Sequence, residues 1–147
     1  INKYHQIIHE TDLANNFSEY YKKNKKKLSN YMQKAIANGN KYSAKDYAEA
    51  IDFIKRSYES YKEVFEDYHG VLSPSSPGVA PKGLKSTGTA EFNKFWSFMG
   101  TPCISLPLLQ GENNLPLGVQ LIGDKYDDQR FLGIARWLEQ KSKDYNE

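Results

Sequence analysis

Glycine and proline are distributed very unevenly along this chain of 147 residues, and their distribution constrains the fold more than any other feature. Residues 1–68 contain one glycine, no proline and 22 of the 38 charged residues, whereas residues 69–147 contain all six prolines and nine of the ten glycines. Glycine and proline interrupt helices and mark turns and strand ends. The sequence therefore predicts helices in the first part and strands joined by loops in the second.

The first part is predicted to form two long helices. Thr11 is a plausible N-cap for the first, which would end near Gly39, where glycine can adopt the left-handed conformation. The second would begin at Ser43, where Ser-Ala-Lys-Asp resembles a capping box. Its apolar positions alternate spacings of four and three: Tyr47, Ile51, Ile54, Tyr58, Tyr61, Phe65 and Tyr68. We expect an antiparallel pair packed on a larger body, with a free coiled coil of about three heptads as the alternative.

The second part contains short apolar runs that predict strands. One strand would end at Pro74, residues 90–99 would form a helix closed by Gly100, and residues 103–106 and 117–122 would form a hairpin. A final helix would begin near Asp127 or Asp128. These elements predict the α/β class, with a mixed sheet and flanking helices. We expect residues 1–147 to belong to one domain, with a helical pair in 1–68 and a strand, loop and helix region in 69–147.

The composition excludes several classes of protein. With 20 basic and 18 acidic side chains, the charge is too balanced to indicate a nucleic-acid partner, and we interpret the run Lys22–Lys27 as a solvated helix face. A phosphate or nucleic-acid site there ranks last among the alternatives. One cysteine cannot form an intramolecular disulfide, and no apolar run approaches the ~18 residues of a membrane span. We therefore expect a cytoplasmic protein with no membrane partner. Because the chain begins with Ile1 rather than methionine, we also expect a segment upstream.

Three groups of residues are candidates for chemistry, but each lacks a required partner. Cys103 would need a base, and the local sequence places none of the three histidines beside it, so we interpret it as a small hydrophobic residue. His5 and His9 could share a helix face, but no third metal ligand is evident. The remaining group consists of loop serines beside two prolines, again without an evident base: Ser73, Ser75 and Ser76. The residues alone predict no catalytic constellation, no metal and no cofactor.

A series of segments in the second part resembles the C-terminal third of the amidase-signature hydrolases. In order they are V-L-S-P-S-S-P-G-V-A-P, S-T-G followed by E-F-N-K-F-W, M-G-T-P-C-I-S-L-P-L, L-P-L-G-V-Q-L-I-G, and D-x-x-x-L-x-x-A-x-x-L-E ending at Glu139. The helical part is also similar to the family, at Glu10, at Ala37-Asn38-Gly39 and at the Ser43 helix start. The resemblance covers most of residues 7–140.

The resemblance implies hydrolysis of a carboxamide through a serine acyl-enzyme, with a Ser–cis-Ser–Lys triad and an oxyanion hole. Those groups belong to earlier portions of the family's domain, and none maps onto this chain, so catalytic residues are expected to be absent and the isolated chain inactive. The resemblance assigns substrate binding, or support of the acyl-binding cleft, to Thr87, Gly88, Phe92, Trp96 and Cys103. The implied partners are a small-molecule amide and the missing N-terminal portion of the domain, and uncovered apolar surface could also promote homo-oligomers. The alternative is a catalytically empty, stand-alone binding or assembly module.

Overall fold

The computed structural model describes residues 1–144, which form two compact units, one of Ile1–Ser57 and one that begins at Tyr58. The helices and strands follow one another along the chain as α1 (Asn2–Asn16), α2 (Ser18–Asn24), α3 (Asn30–Gly39), α4 (Ala44–Asp67), β1 (Val71–Pro74), α5 (Lys94–Met99), β2 (Cys103–Gln110), β3 (Pro116–Ile122) and α6 (Asp128–Asp144). Short 3-10 turns lie at Lys25–Lys27 and Glu112–Asn114. None of these helices combines the length and apolar character that crossing a membrane requires.

The helix predicted from Thr11 to Gly39 is wrong in its boundaries, because the chain forms α1, α2 and α3 there. Thr11 lies inside α1, and the lysine run forms a 3-10 turn before Leu28 becomes extended, with φ −84° and ψ 143°. Like charges on neighbouring turns disfavour a continuous helix. Ser29 then starts α3 as its N-cap, because its hydroxyl accepts a hydrogen bond from the Met32 amide at 3.2 Å.

A buried carboxylate joins the helices of the first unit. Glu10 accepts hydrogen bonds from Asn38 Nδ2 at 3.2 Å and from the Tyr42 hydroxyl at 2.9 Å. Burial, followed by this contact with Glu10, raises the pKa of Tyr42. Gly39 lies directly over the backbone of Glu10 as the last residue of α3. It is not among the glycines with positive φ, and the C-cap that follows it, Asn40, has φ −69°. The prediction of a left-handed Gly39 is therefore wrong: this position needs glycine because two helices approach closely there.

The start of α4 agrees with the predicted capping box. The Asp46 carboxylate accepts from the Ser43 amide at 2.9 Å, and the Asp46 amide donates to the Ser43 hydroxyl at 3.1 Å. The Ser43 hydroxyl also donates to the Asp46 carboxylate at 2.6 Å, and this bond, followed by the one from the Ser43 amide, lowers the pKa of Asp46. The second predicted helix is confirmed in type and in its starting point.

The sheet of the second unit contains the three strands in the order β1-β3-β2. The predicted hairpin between β2 and β3 is confirmed, and both described pairings are antiparallel, so the mixed character expected of the sheet is not seen among residues 1–144. Asn113 and Asn114 adopt positive φ in the hairpin turn, a conformation that asparagine tolerates. The β2–β3 register shifts between Leu106 and Leu109, at Pro107, which has no amide hydrogen for the ladder.

One face of the sheet packs against α6. Leu121 forms a buried cluster with Phe131 and Ala135, and Ile104 and Ile134 pack against it. Helix α6 begins at Asp128, as predicted. Helix α5 is closed, also as predicted, by Gly100, which adopts the left-handed conformation with φ 73°. The α/β class is confirmed, and the opposite face of the sheet carries a row of polar residues beside the buried Ile122.

Candidate functional site

A row of polar side chains crosses the sheet on the face opposite to α6. Gln120 of β3 pairs with Ser73 of β1 on one side and with Ser105 of β2 on the other. Directly paired residues of an antiparallel sheet project from the same face. The register therefore brings together three polar side chains that are far apart in sequence.

Gln120 is the buried centre of this row. Its side chain is 3% exposed, and its amide nitrogen donates to the Phe92 carbonyl at 2.9 Å and to the Pro74 carbonyl at 3.1 Å. The Ser73 hydroxyl lies 3.3 Å from the same nitrogen. Because one side chain contacts both the end of β1 and the segment before α5, Gln120 fixes the loop that separates them.

A cavity of about 440 Å³ lies beside this row. Its lining includes the hydroxyls of Ser75 and Ser105, which are 2.7 Å apart. A Cβ atom on Gly118 would lie 2.6 Å from Ser105 Oγ and 2.8 Å from Ser75 Oγ, so glycine is required beneath the pair. The remaining walls come from three segments, namely residues 76–81, residues 87–89 and Pro116.

Thr87 and Gly88, two of the residues assigned from the resemblance, line this cavity. Gly88 adopts φ 88°, and its amide donates to the Ser86 hydroxyl at 3.1 Å. The positive φ favours glycine and turns the backbone at this wall. The other assigned residues, Phe92, Trp96 and Cys103, are not among those that line it.

Phe92 and Trp96 lie behind the polar row rather than in the cavity wall. Phe92 provides the carbonyl that accepts from Gln120. Trp96 is buried, and its ring centroid lies 5.0 Å from that of Phe95 and 5.5 Å from that of Tyr61. The geometry of the Tyr61 contact is edge-to-face, an arrangement that aromatic rings favour. These residues support the segment that carries the Phe92 carbonyl.

Cys103 is an exposed residue at the start of β2, two positions from Ser105. Its thiol donates to the Thr101 carbonyl at 3.5 Å, and desolvation of the sulfur raises the pKa of the Cys103 thiol. A thiolate is the reactive form of cysteine. The geometry therefore supports the prediction that Cys103 is not a nucleophile.

We expect Cys103 to react with iodoacetamide more slowly in the folded chain than in the same chain unfolded in concentrated urea, when both are measured near neutral pH. Its raised pKa leaves less thiolate at that pH. Mass spectrometry can follow the labelling directly, because the chain has one cysteine. The midpoint of the rate profile should lie at higher pH in the folded chain. A faster folded-state reaction with a lower midpoint would contradict this expectation.

The histidines are engaged elsewhere and contribute nothing to the cavity lining. His69 lies 3.3 Å from an Arg130 nitrogen, and the rings of His5 and His9 stack in α1 with centroids 5.9 Å apart. Within residues 1–144, the structure brings together no cluster of three histidine, cysteine or acidic side chains suited to a metal ion. The lining contains neither a histidine nor a lysine that could serve as a base.

Sequence reasoning missed Gln120 and Ser105 as members of the site. Each lies in an apolar run that predicts a strand, where a single polar residue carries little local signal. The available signal is the pairing register, since a two-residue period from Ile122 and Cys103 places both residues on one face. Register depends on the hairpin turn and bulge, which the sequence alone did not specify.

Comparisons with known proteins identify the relatives of this chain. The family model described as Amidase matches residues 1–132. A glutamyl-tRNA(Gln) amidotransferase subunit from Alkaliphilus metalliredigens is 36% identical over 103 residues, which are 65% of this chain and 21% of that protein. The fatty acid amide hydrolase of Arabidopsis thaliana is 27% identical over 126 residues, which are 78% of this chain and 21% of that protein.

A solved structure described as a crystal structure of amidase has the same fold, with a TM-score of 0.75 at 22% identity. The match covers 90% of this chain and 33% of the solved chain. The chain spans about a fifth of the length of the curated relatives named above. Because the family match extends over residues 1–132, the chain belongs to the amidase family.

Proposed function

We propose that this chain is the C-terminal part of an amide hydrolase and that it contributes scaffold and one wall of the substrate cleft. The complete enzyme would cleave a carboxamide C–N bond through a serine acyl-enzyme. The family match over residues 1–132 carries this proposal, together with the small share of each relative that the chain covers. We place the complete enzyme in the cytoplasm, because nothing in the cysteine content points to an oxidising compartment.

The proposed wall of the substrate cleft is the surface that lines the cavity and includes Thr87 and Gly88. These residues would contact the substrate directly, while Phe92 and Trp96 would hold the wall in position through Gln120 and the aromatic cluster. Cys103 lies on the same sheet face as Ser105 and would line the cleft beyond the cavity. Support for these roles comes from the resemblance and from the position of Thr87 and Gly88 in the lining.

The nucleophile of the proposed enzyme would come from outside this chain. The hydroxyls of Ser75 and Ser105 are partners of each other, and the cavity lining supplies neither a histidine nor a lysine to remove a proton from them. A serine nucleophile requires such a base and an oxyanion site. The chain would therefore shape and position a substrate that another segment attacks.

An apolar groove on the other side of the sheet supports completion by a further portion of the domain. The groove measures about 380 Å³ and lies beside edge strand β1. Among its lining residues, Leu72 is 55% exposed and Trp137 is 58% exposed. Exposed apolar surface beside an unpaired strand edge favours association. We propose that the remaining part of the amidase fold covers this groove, since the match covers 33% of the solved relative and leaves about two thirds of that chain unmatched.

The test compares amide hydrolysis by two proteins. One is the 147-residue chain, and the other is the product of the longest uninterrupted reading frame that contains the codon for Ile1. Ammonia release from simple aliphatic and aryl amides should be detected for the longer product and should not exceed the buffer rate for the chain alone. Turnover by the chain alone that Ser75→Ala or Ser105→Ala abolishes would contradict the proposal.

A stand-alone binding module stays the alternative prediction. Such a module would act through its tyrosine-rich helix pair, but two of these tyrosines already have partners within their own units: the Tyr47 hydroxyl donates to Asp12 at 3.0 Å, and the Tyr58 hydroxyl donates to Asp124. The second contact raises the pKa of Tyr58 to about 12. A reading frame that starts immediately before Ile1 and encodes a monomeric, cooperatively folded chain would favour this alternative.

A further inference from the structure

Positive charge is concentrated in one segment of the first unit, residues 17–34, here called the basic segment. It contains six lysines and one acidic residue, Glu19, so its net charge is +5. Because the whole chain carries +2, the rest of the chain carries −3. The overall balance of charge therefore conceals a strong local excess. All six lysines of the segment are exposed: Lys22, Lys23, Lys25, Lys26, Lys27 and Lys34.

Most of these positive charges are not neutralised within the described part of the chain. Lys22 forms an ion pair with Glu19 at 2.8 Å, and both side chains are largely exposed. Within residues 1–144, the other five lysines have no acidic side chain at ion-pair distance. Neighbouring like charges repel one another, so the approach of an anionic surface relieves this repulsion.

The structure places the lysines where the chain leaves one helix and enters the next. Helix α2 ends at Asn24, and the 3-10 turn Lys25–Lys27 follows it directly. Neither of these elements has a buried residue. The run was expected to be one solvated face of a continuous helix, but it forms the exposed connection between α2 and α3.

Aromatic side chains share this surface with the lysines. The Tyr21 amide donates to the Phe17 carbonyl at 2.8 Å, so these two residues lie one helical turn apart on the same side, with Tyr20 beside them. Phe17 is 39% exposed and Tyr20 is 45% exposed. The ammonium nitrogen of Lys25 lies 5.2 Å from the centroid of the Tyr21 ring. The basic segment therefore presents partly uncovered rings next to positive charge.

This combination fits the surface of an anionic lipid bilayer. Headgroups present a broad layer of phosphate charge that requires no precise geometry, and lysine is a compact, strongly hydrated point charge. Aromatic rings favour the boundary between headgroups and hydrocarbon, while long lysine side chains can keep their charge at the headgroups. Charge complementarity and the exposed rings thus point to the same partner.

A nucleic acid matches the basic segment less well. Arginine, whose planar fork binds phosphates and guanine through two hydrogen bonds, is the usual residue of specific recognition, and residues 17–34 contain none. Single strands are commonly held in a groove lined by stacking side chains. The basic segment is instead a connection without a buried residue in α2 or in the turn.

We infer that the basic segment binds the anionic surface of a membrane, with its lysines at the lipid phosphates and with Phe17 and Tyr20 at the interface. The expectation of no membrane partner rested on the lack of an apolar run long enough to span a bilayer, and binding at the surface requires no such run. Anionic lipids are found in the cytoplasmic leaflet, which agrees with a cytoplasmic enzyme. The inference is independent of the proposed amide hydrolysis, because the cavity belongs to the other unit.

Flotation with lipid vesicles tests this inference on the 147-residue chain. One set of vesicles contains phosphatidylcholine alone, and the other also contains about 30% phosphatidylserine as the anionic lipid. At low ionic strength we expect at least about tenfold tighter binding to the anionic vesicles. Most of this binding should be lost in ~0.5 M sodium chloride, because salt shortens the range of the attraction.

Variants of the lysine turn test the contribution of charge. The combined substitutions Lys25→Gln, Lys26→Gln and Lys27→Gln should weaken binding to anionic vesicles about a hundredfold, since each lysine contributes about fivefold. Arginine at the same three positions keeps the charge and should bind as the native chain does. The matched control removes three exposed lysines outside the segment, and its loss should stay below about threefold. It combines Lys55→Gln, Lys82→Gln and Lys85→Gln.

Tyr20→Ser tests the aromatic contribution separately. It should weaken binding about fivefold through lost apolar contact, and the salt dependence should persist because every lysine remains. Tyr126→Ser is the matched control, because Tyr126 is 98% exposed and lies in the other unit. This control should leave the affinity unchanged.

Four results would overturn the inference. They are no binding to either kind of vesicle, equal binding to both kinds, equal losses in the two glutamine variants, and tighter binding of single-stranded oligouridylate RNA than of anionic vesicles at equal salt and phosphate concentration. Equal binding to both kinds of vesicle would indicate adsorption through apolar surface, and tighter RNA binding would identify RNA as the partner. None of these results bears on amide turnover by the longer reading-frame product.

Discussion

Replacement of Gly39 by alanine is expected to lower the free energy of unfolding of the chain by about 3 kcal/mol. A Cβ atom at this position would lie 1.9 Å from the carbonyl oxygen of Glu10 and 2.5 Å from its carbonyl carbon. It would also lie 2.9 Å from the Cβ atom of Ala14. No side-chain rotation can relieve a contact with backbone, so α1 and α3 must move apart.

Denaturant unfolding followed by circular dichroism measures this change, with Gly133→Ala as the matched control. Gly133 lies inside α6, and a Cβ atom there would meet nothing within 4 Å. The control should therefore raise the free energy of unfolding by about 0.5–1 kcal/mol through helix propensity alone. Equal effects of the two substitutions would show that α1 and α3 do not approach this closely.

Local sequence patterns correctly predicted the helices and strands whose boundaries depend on residues that are close together in the sequence. Ser43 and Asp46 specify the start of α4 through reciprocal hydrogen bonds. Gly100 specifies the end of α5, and the apolar runs beginning at Cys103 and near Leu117 specify a hairpin. In each case the physical cause is local, because it depends on capping, turn conformation or strand periodicity.

The features that the sequence analysis missed are of two kinds, a local break in the first predicted helix and a contact between distant residues. The lysine run breaks a helix that apolar spacing alone would have continued, and Ser29 supplies the new start. Gly39 indicated a helix end but not the helix crossing, because its neighbour Glu10 lies 29 positions earlier. A single sequence contains no direct signal for such a crossing.

The candidate site likewise combines residues that the sequence analysis predicted with residues that it missed. Thr87 and Gly88 were found through the resemblance, and they line the cavity. Ser75 was noted as a loop serine, but its partner Ser105 could not be identified until the strands were paired. Predicting this site from sequence therefore required the register of β2 on β3, which includes a shift at Pro107.

Replacement of Gln120 by leucine is expected to lower the free energy of unfolding by about 2–4 kcal/mol. Leucine keeps a side chain of comparable size but donates no hydrogen bond. The carbonyls of Phe92 and Pro74 would lose a donor that lies 2.9 and 3.1 Å away in the native chain. Gln110→Leu is the matched control, because Gln110 is an exposed residue of β2, and its change should stay within about 0.5 kcal/mol.

Gln120→Glu separates the hydrogen bonds of this side chain from its packing. Carbonyl oxygens disfavour a carboxylate, so the pKa of the introduced group should be raised in the folded chain above its value in the unfolded chain. The protonated group can donate to the Phe92 carbonyl, and its contribution should be present below the unfolded pKa and lost as the pH rises through the folded pKa. Relative to the native chain, Gln120→Glu should therefore be only mildly destabilised in acid and strongly destabilised at neutral pH, whereas the deficit of Gln120→Leu should not depend on pH. Equal pH dependence of the two variants would show that packing, rather than donation to Phe92 and Pro74, is what Gln120 contributes.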